Sequence, residues 1–247
     1  MGLSLCVGYL SEIRKEAISS LPSFIQRSAT LTDMALRSKI FSGDYSRATK
    51  QFEATSKCLV VRGHNAHIEP FALPNGAEFS CQMFGYSGLH HLRQLAAYVA
   101  LDKELYEPTR KLPSEKNLVV AEYDSLIGNG DVSELSYQHL TLHGDGEGVY
   151  VPQDFQRVVE PPAQYFSTVG GGIGSSIRLL EECKSLAAVL ELPLDLDAES
   201  PEVWSATDQP GTGSTKWQRF GVESFSCIRL IRACERSIAT GAAVVFC

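Results

Sequence analysis

The stretch 137–155, YQHLTLHGDGEGVYVPQDF, constrains the fold more than any other part of the chain. Leu140 and Leu142 alternate with His139, Thr141 and His143, the period-two pattern of a half-buried strand. Asp145-Gly146 follows, the favoured pair for a type I′ hairpin turn, where both central residues need positive φ. With that pair at the tip, Leu142 faces Val149, Thr141 faces Tyr150 and Leu140 faces Val151. The four apolar residues then share one face, and His139, Thr141, His143 and Tyr150 share the other. A tip at Glu147-Gly148 spoils this match, and a wrong register sends side chains to the wrong environment. The spacing predicts a central hairpin over 137–155, ended by Pro152, which has no N–H for the ladder.

The polar face of that hairpin carries the candidate chemistry. His143, Asp145, Glu147 and Tyr150 are the candidate catalytic residues, grouped at or beside the turn. A histidine with two carboxylates can hold a divalent metal or act as an acid–base set. The plain structural alternative has Asp145 serving the turn, Glu147 solvated and the histidines covering a sheet. It is favoured because no H-E-x-x-H or similar signature accompanies them. His139 and His143, four apart on a strand, would sit about 13 Å apart and could not share one metal.

At 247 residues the chain is long enough to bury a sizeable core. An apolar share of 44% and a charged share of 21% exclude wholesale disorder. The formal net charge of −7 argues against broad binding to nucleic acid or an anionic membrane, which both ask for a positive surface. Nucleic acid and membrane are therefore left out of the expected partners. No apolar run approaches the roughly 20 residues of a membrane span. Seven cysteines, scattered and without C-x-x-C pairs, make neither a zinc ribbon nor a disulfide framework. They point to a reducing, cytoplasmic compartment.

Along the chain, residues 3–10 read as a buried strand and Ser11 as the N-cap of a helix to about residue 19. Residues 57–62 and 77–83 read as further strands, and 117–123 as a strand or short helix. A weak helical pattern covers 32–41. His64 and His67 form an H-x-x-H in a loop rich in Gly, Asn and Pro, without a third ligand nearby. A helix over 87–101 buries Leu89, Leu92, Leu95, Ala96 and Val99. Residues 195–216, acidic and then rich in Pro, Gly, Ser and Thr, read as a long surface loop. A last helix covers 217–240 with Gly241 as its C′ residue. Residues 242–247 form a final strand beside the first, which closes one sheet and argues for a single domain over 1–247. The expected class is α+β, with a single mixed, mostly antiparallel sheet and packed helices.

Two further sites are candidates. Gly174, Ser175 and Ser176 open a helix after a glycine run, and with Arg178 they could hold an anion at free helical N–H groups. The segment is neither a Walker loop nor a clean G-x-G-x-x-G, and the plain alternative is a flexible loop with a serine cap. Arg229, Arg232 and Arg236 line one helix face and could receive a partner protein, or stand as a solvated charge stripe.

Four segments together resemble an uncharacterised, actinobacterial-type bacterial protein family: Met1–Gly8 (MGLSLCVG), His143–Phe155, Gly174–Ser176 and Ala243–Cys247 (AVVFC). Its members begin like M-G-L-x-L-x-V-G, carry H-S-D-x-E-G-Y-Y-V-P-x-D-F, and end like A-x-V-F-C. The chain departs from the pattern at Gly144, where the family tends to have Ser, and at Val149, where it tends to have Tyr. The resemblance implies a shared fold and supplies no activity.

The expected function is a protein-binding module, such as an immunity or antitoxin-like protein that neutralises a toxin. Acidic charge and the lack of any complete catalytic signature point that way, since electrostatic complementarity speeds capture of a basic partner. No cofactor is expected. The alternative is a hydrolase or divalent-metal enzyme centred on His143, Asp145 and Glu147, which requires those residues to meet on one accessible hairpin tip.

Overall fold

The two ends of the chain meet inside one sheet. The computed structural model describes residues 3–19, 23–27, 44–70, 72–74, 76–110, 117–128, 136–144 and 147–246. Strand β1 (Ser4–Val7) pairs antiparallel with β5 (Val244–Phe246), Leu5 opposite Phe246 and Val7 opposite Val244. On its other side β1 pairs antiparallel with β2 (Phe79–Gln82). Strand β3 (Val149–Val151) pairs antiparallel with β5 and parallel with β4 (Ile173–Ser175), giving the order β2-β1-β5-β3-β4. The fold is α+β, with a mixed, mostly antiparallel sheet.

Strand alternation feeds two cores. Leu5, Val7, Tyr150 and Val244 point to one face. Cys6, Val149, Val151, Ile173 and Val245 point to the other, against α1 (Tyr9–Ser19) and α3 (Asp44–Val61); α2 (Ser23–Gln26) lies between these two helices in sequence. The first face carries α4 (Gly85–Ala100), α8 (Ser176–Leu190) and α11 (Gly221–Thr240). Every residue of α11 from Gly221 to Ile231 is buried, which marks a core helix rather than an amphipathic surface one. Gly241 ends it at φ 75°, the left-handed C′ position expected. Among the described residues no helix is long and apolar enough to cross a membrane. Cys6 is disulfide-bonded, whereas the cysteine pattern predicted no such bond; Cys58, Cys81, Cys183, Cys227 and Cys234 are free.

Several expectations need correction. Residues 57–62 are not a strand: Val60 and Val61 end helix α3, where they stay exposed at 55% and 67%. Of the two readings of 117–123, strand or short helix, the helix is the one found, and it runs longer, as α5 (Leu118–Gly128). Ser11 caps no helix, since α1 begins at Tyr9; its hydroxyl donates to Glu78 and accepts from the Leu73 N–H. The helical pattern at 32–41 lies outside the described residues. The surface loop of 195–216 contains a helix, α9 (Pro201–Asp208), with Ser200 accepting from the Val203 N–H and Pro201 in the first turn. The short α10 (Lys216–Arg219) precedes α11.

The largest correction is the hairpin. Residues 138–141 form one helical turn, α6 (Gln138–Thr141), and the neighbours of β3 are β4 and β5. The reason lies far away in sequence. The Glu182 carboxylate on α8 accepts the N–H groups of His139 (3.0 Å) and Leu140 (2.8 Å). Arg93 on α4 donates to the carbonyls of Leu140 (2.8 Å) and His143 (2.5 Å). These two side chains satisfy both orphan ends of a turn too short to be stable alone. Asp145 and Gly146, the predicted hairpin tip, lie outside the described residues.

Candidate functional site

Of the four predicted catalytic residues the structure describes His143, Glu147 and Tyr150; Asp145 lies outside the described residues. His143 is buried rather than at an accessible tip, and its ring stacks on Tyr150 at 4.0 Å. Its Nε2 lies 3.2 Å from the Val149 carbonyl and its Nδ1 3.3 Å from that of Gly144. A neutral imidazole donates to only one of them. Burial holds its pKa down, to about 4, so the ring is uncharged at neutral pH. Glu147 is exposed, and the buried Tyr150 hydroxyl donates to the His139 carbonyl at 3.1 Å. Among the described residues no group of three or more His, Cys, Asp or Glu is placed to hold a metal. His67, from the H-x-x-H, is buried against Glu69 at 2.8 Å, and Glu69 also accepts the Ala243 N–H. That pair fastens a loop to the edge of β5.

The predicted anion site is filled from within. Ser175 caps α8 by accepting the Arg178 N–H, and its own N–H donates to His139 Nδ1 at 3.0 Å. The Ser176 hydroxyl meets that of Ser237 at 3.0 Å. Gly174 serves packing, because a Cβ there would come within 2.3 Å of the Tyr150 ring. Arg178 grips Asp154 through Nε and Nη2 and reaches Glu181 at 2.9 Å. The glycine run gives backbone angles: Gly170 caps α7 (Ala163–Val169) at φ 86°.

Of the predicted arginine stripe, Arg229 faces inward, and where Arg229 and Arg232 reach is informative. Arg229 is 1% exposed, with its guanidinium 3.4 Å over the Phe225 ring and 5.3 Å from that of Trp204. Its Nη2 donates to Glu199 at 2.7 Å. Arg232 donates to the carbonyls of Leu194 (2.6 Å) and Leu196 (3.4 Å) and to Glu235 (3.2 Å). Arg236 is half-buried one turn further on. Arg229 and Arg232 therefore do not await a partner. They pin the segment 194–199 to the core helix.

That segment lies in an acidic stretch of the surface. Between Lys184 and Lys216 there is no Lys, Arg or His, while Glu191, Asp195, Asp197, Glu199, Glu202 and Asp208 are all exposed. Leu196 and Ala198, set between the first carboxylates, pack on the core. Alternation thus turns Asp195, Asp197 and Glu199 outward together. Asp195, Asp197 and Glu202 form no ion pair among the described residues; Asp197 accepts the Glu199 N–H and Glu202 accepts from Gln218. Glu107 joins the rim through Arg219, beside Gln218, and Asp208 through Arg110. Leu194 and Trp204 stand half-exposed among these charges. From sequence alone this face reads as part of a surface loop. The signal that marks it is the missing base over more than one helix and two turns, with carboxylates at alternate positions.

A direct check on this architecture is Arg232→Ala. The expected result is faster amide hydrogen exchange over 191–199 with a global stability change of only about 1 kcal/mol, the size of a partly exposed hydrogen-bonded pair. Unchanged exchange there would assign the hold to Leu192 and Leu196 packing instead.

Among curated proteins and among solved structures, nothing matches the chain. A protein-family model described as "Putative DNA-mimic protein" matches residues 1–246. The match overturns the exclusion of nucleic acid from the partner reading. Net negative charge does argue against binding DNA, but it is the property of something that imitates DNA, and the relevant partner class becomes proteins that bind DNA. With the match running through almost the whole sequence, the chain belongs to this DNA-mimic family.

Proposed function

We propose that the protein occupies the nucleic-acid site of a DNA-binding protein, using the acidic face of 191–208. The observation that carries this is the set of exposed carboxylates at Asp195, Asp197 and Glu202, in no ion pair among the described residues, the first two on the segment held by Arg232 and the third on α9. DNA-binding proteins draw much of their affinity from Lys and Arg meeting a row of phosphates, and that affinity falls steeply with salt. A rigid row of carboxylates offers the same side chains a substitute. Rigidity matters because a mobile acidic tail would lose affinity to the cost of ordering it. Trp204 and Leu194 add apolar area among the charges, the kind of buried anchor that gives an interface its strength.

An immunity or antitoxin role is the special case in which the partner is a toxin; the acidic face itself does not select it. The test is competitive capture. Proteins of the native host that bind duplex DNA are eluted from a DNA column and passed over the immobilised protein. The expected result is a retained protein released both by added duplex DNA and by raised salt. Retention that duplex DNA leaves unchanged would overturn the reading.

A further inference from the structure

On the other face of the sheet, α3 and α7 enclose a cleft of about 910 Å³, within the ~300–1,000 Å³ of small-molecule sites. It is chemically unlike the acidic face. Arg47 and Lys50, three apart on α3, line the same wall. Lys50 makes no ion pair among the described residues, on a protein with net charge −7. The Ser167 and Thr168 hydroxyls stand at the end of α7. A hydrogen bond from Gln51 Nε2 to the Val169 carbonyl, 2.8 Å, holds the two walls together. The floor is glycine backbone: Gly148, at φ 83°, abuts the Gly172 carbonyl so closely that a Cβ would lie 2.2 Å from it. Tyr9 and Phe246, both half-buried, add aromatic surface, and Glu147 puts one exposed carboxylate on the rim.

We infer that this cleft binds a small phosphate ester with an aromatic body, the chemistry of a nucleoside monophosphate. Lys50 and the hydroxyls take the phosphate with Arg47 adding positive charge on the same wall, the two rings take the planar base, and Glu147 accepts from a sugar hydroxyl or amine. Paired cations with hydroxyl donors fit a phosphate better than a carboxylate, since three oxygens accept at once. The inference is independent of DNA mimicry, because it uses the opposite charge on a different part of the fold.

The experiment is titration calorimetry of the full chain with adenosine 5′-monophosphate and, separately, inorganic phosphate. The expected result is saturable binding of the nucleotide with Kd below about 1 mM, and weaker binding of phosphate alone. The double variant Arg47→Glu/Lys50→Glu, on an exposed helix face, should lose both; Lys50→Gln should weaken the nucleotide roughly tenfold, one charge-assisted contact. Unchanged thermal melting of both variants keeps the comparison clean. No saturable nucleotide binding by the native chain, nucleotide binding no tighter than that of phosphate alone, or binding unmoved by the double variant, overturns the inference.

Discussion

Gly221→Ala is expected to lower the melting temperature by about 10 °C. Gly221 opens the core helix α11 where it crosses α9, and an added Cβ would meet the Ala206 carbonyl oxygen at 2.0 Å and the Thr207 nitrogen at 2.7 Å. These are backbone atoms, so no side chain can rotate away. Thr207 is itself fixed there, its hydroxyl donating to the Val203 carbonyl at 2.7 Å with the Gly221 carbonyl at 3.3 Å. Relief means separating two packed helices. Overpacking of this kind costs about 3 kcal/mol, which for a chain of this size is roughly 10 °C. Because α9 carries Glu202 and Trp204, the same change should disturb the acidic face. The control is Gly144→Ala, where the nearest atoms to a new Cβ stand at 3.7 Å. It should melt within about 2 °C of the native chain, as expected of a change that meets no close contact. A Gly221→Ala protein as stable as the native one would refute this packing of α9 on α11.

Acidification should destabilise the protein between pH 6.5 and 4.5, with a slope that one substitution doubles. Burial depresses His139 and His143 to about 4. Above pH 6.5 both rings are neutral whether the chain is folded or not. Below it the unfolded chain takes two protons that the folded one refuses, so stability falls until about pH 4, where the folded rings also charge. Glu182 acts in the opposite sense. Burial raises it to about 7, against which the His139 and Leu140 N–H groups pull down. Between pH 4.5 and 7 the folded protein therefore holds one proton that the unfolded chain releases, which offsets one histidine. From these three groups the net is one proton, or a loss of about 3 kcal/mol over those two pH units. In Glu182→Gln the offset disappears and the slope should double. Urea denaturation at half-unit pH steps reads both slopes. Equal slopes for the two proteins would place Glu182 in solvent.

How much of this could be read from sequence depended on whether the cause was local. Strand β1, strand β5, the α4 stripe, the Ser175 cap and Gly241 were legible, because apolar runs, period and capping residues lie within the elements they define. The α6 turn was not. Its alternating leucines spell a strand, and what overrides them is Glu182 and Arg93, more than 40 residues away on either side. The arginines at 229, 232 and 236 were visible as a stripe, but a stripe does not say whether it faces water or a neighbouring segment. Here Arg229 and Arg232 face 194–199, so that two of the three support an acidic segment. The same blindness hid His143, whose polar neighbours in sequence gave no sign that Tyr150 would cover its ring. The acidic run is plain in the sequence; its function is not, because negative charge opposes binding to nucleic acid and suits a likeness to it equally well.

The most direct measurement is the affinity of the DNA-displaced partner for two variants of equal charge. One carries Asp195→Asn, Asp197→Asn and Glu202→Gln on the acidic face. The other carries Glu12→Gln, Glu16→Gln and Glu53→Gln, exposed residues on α1 and α3. If the face imitates DNA, the first variant should lose roughly a hundredfold in affinity, about 1 kcal/mol per carboxylate, and show a shallower salt dependence. The second should bind within about twofold of the native chain, as expected for charges outside the interface. Equal losses in both variants would mean that net charge, and not this face, draws the partner, and would contradict the assignment of the mimic surface to 191–208.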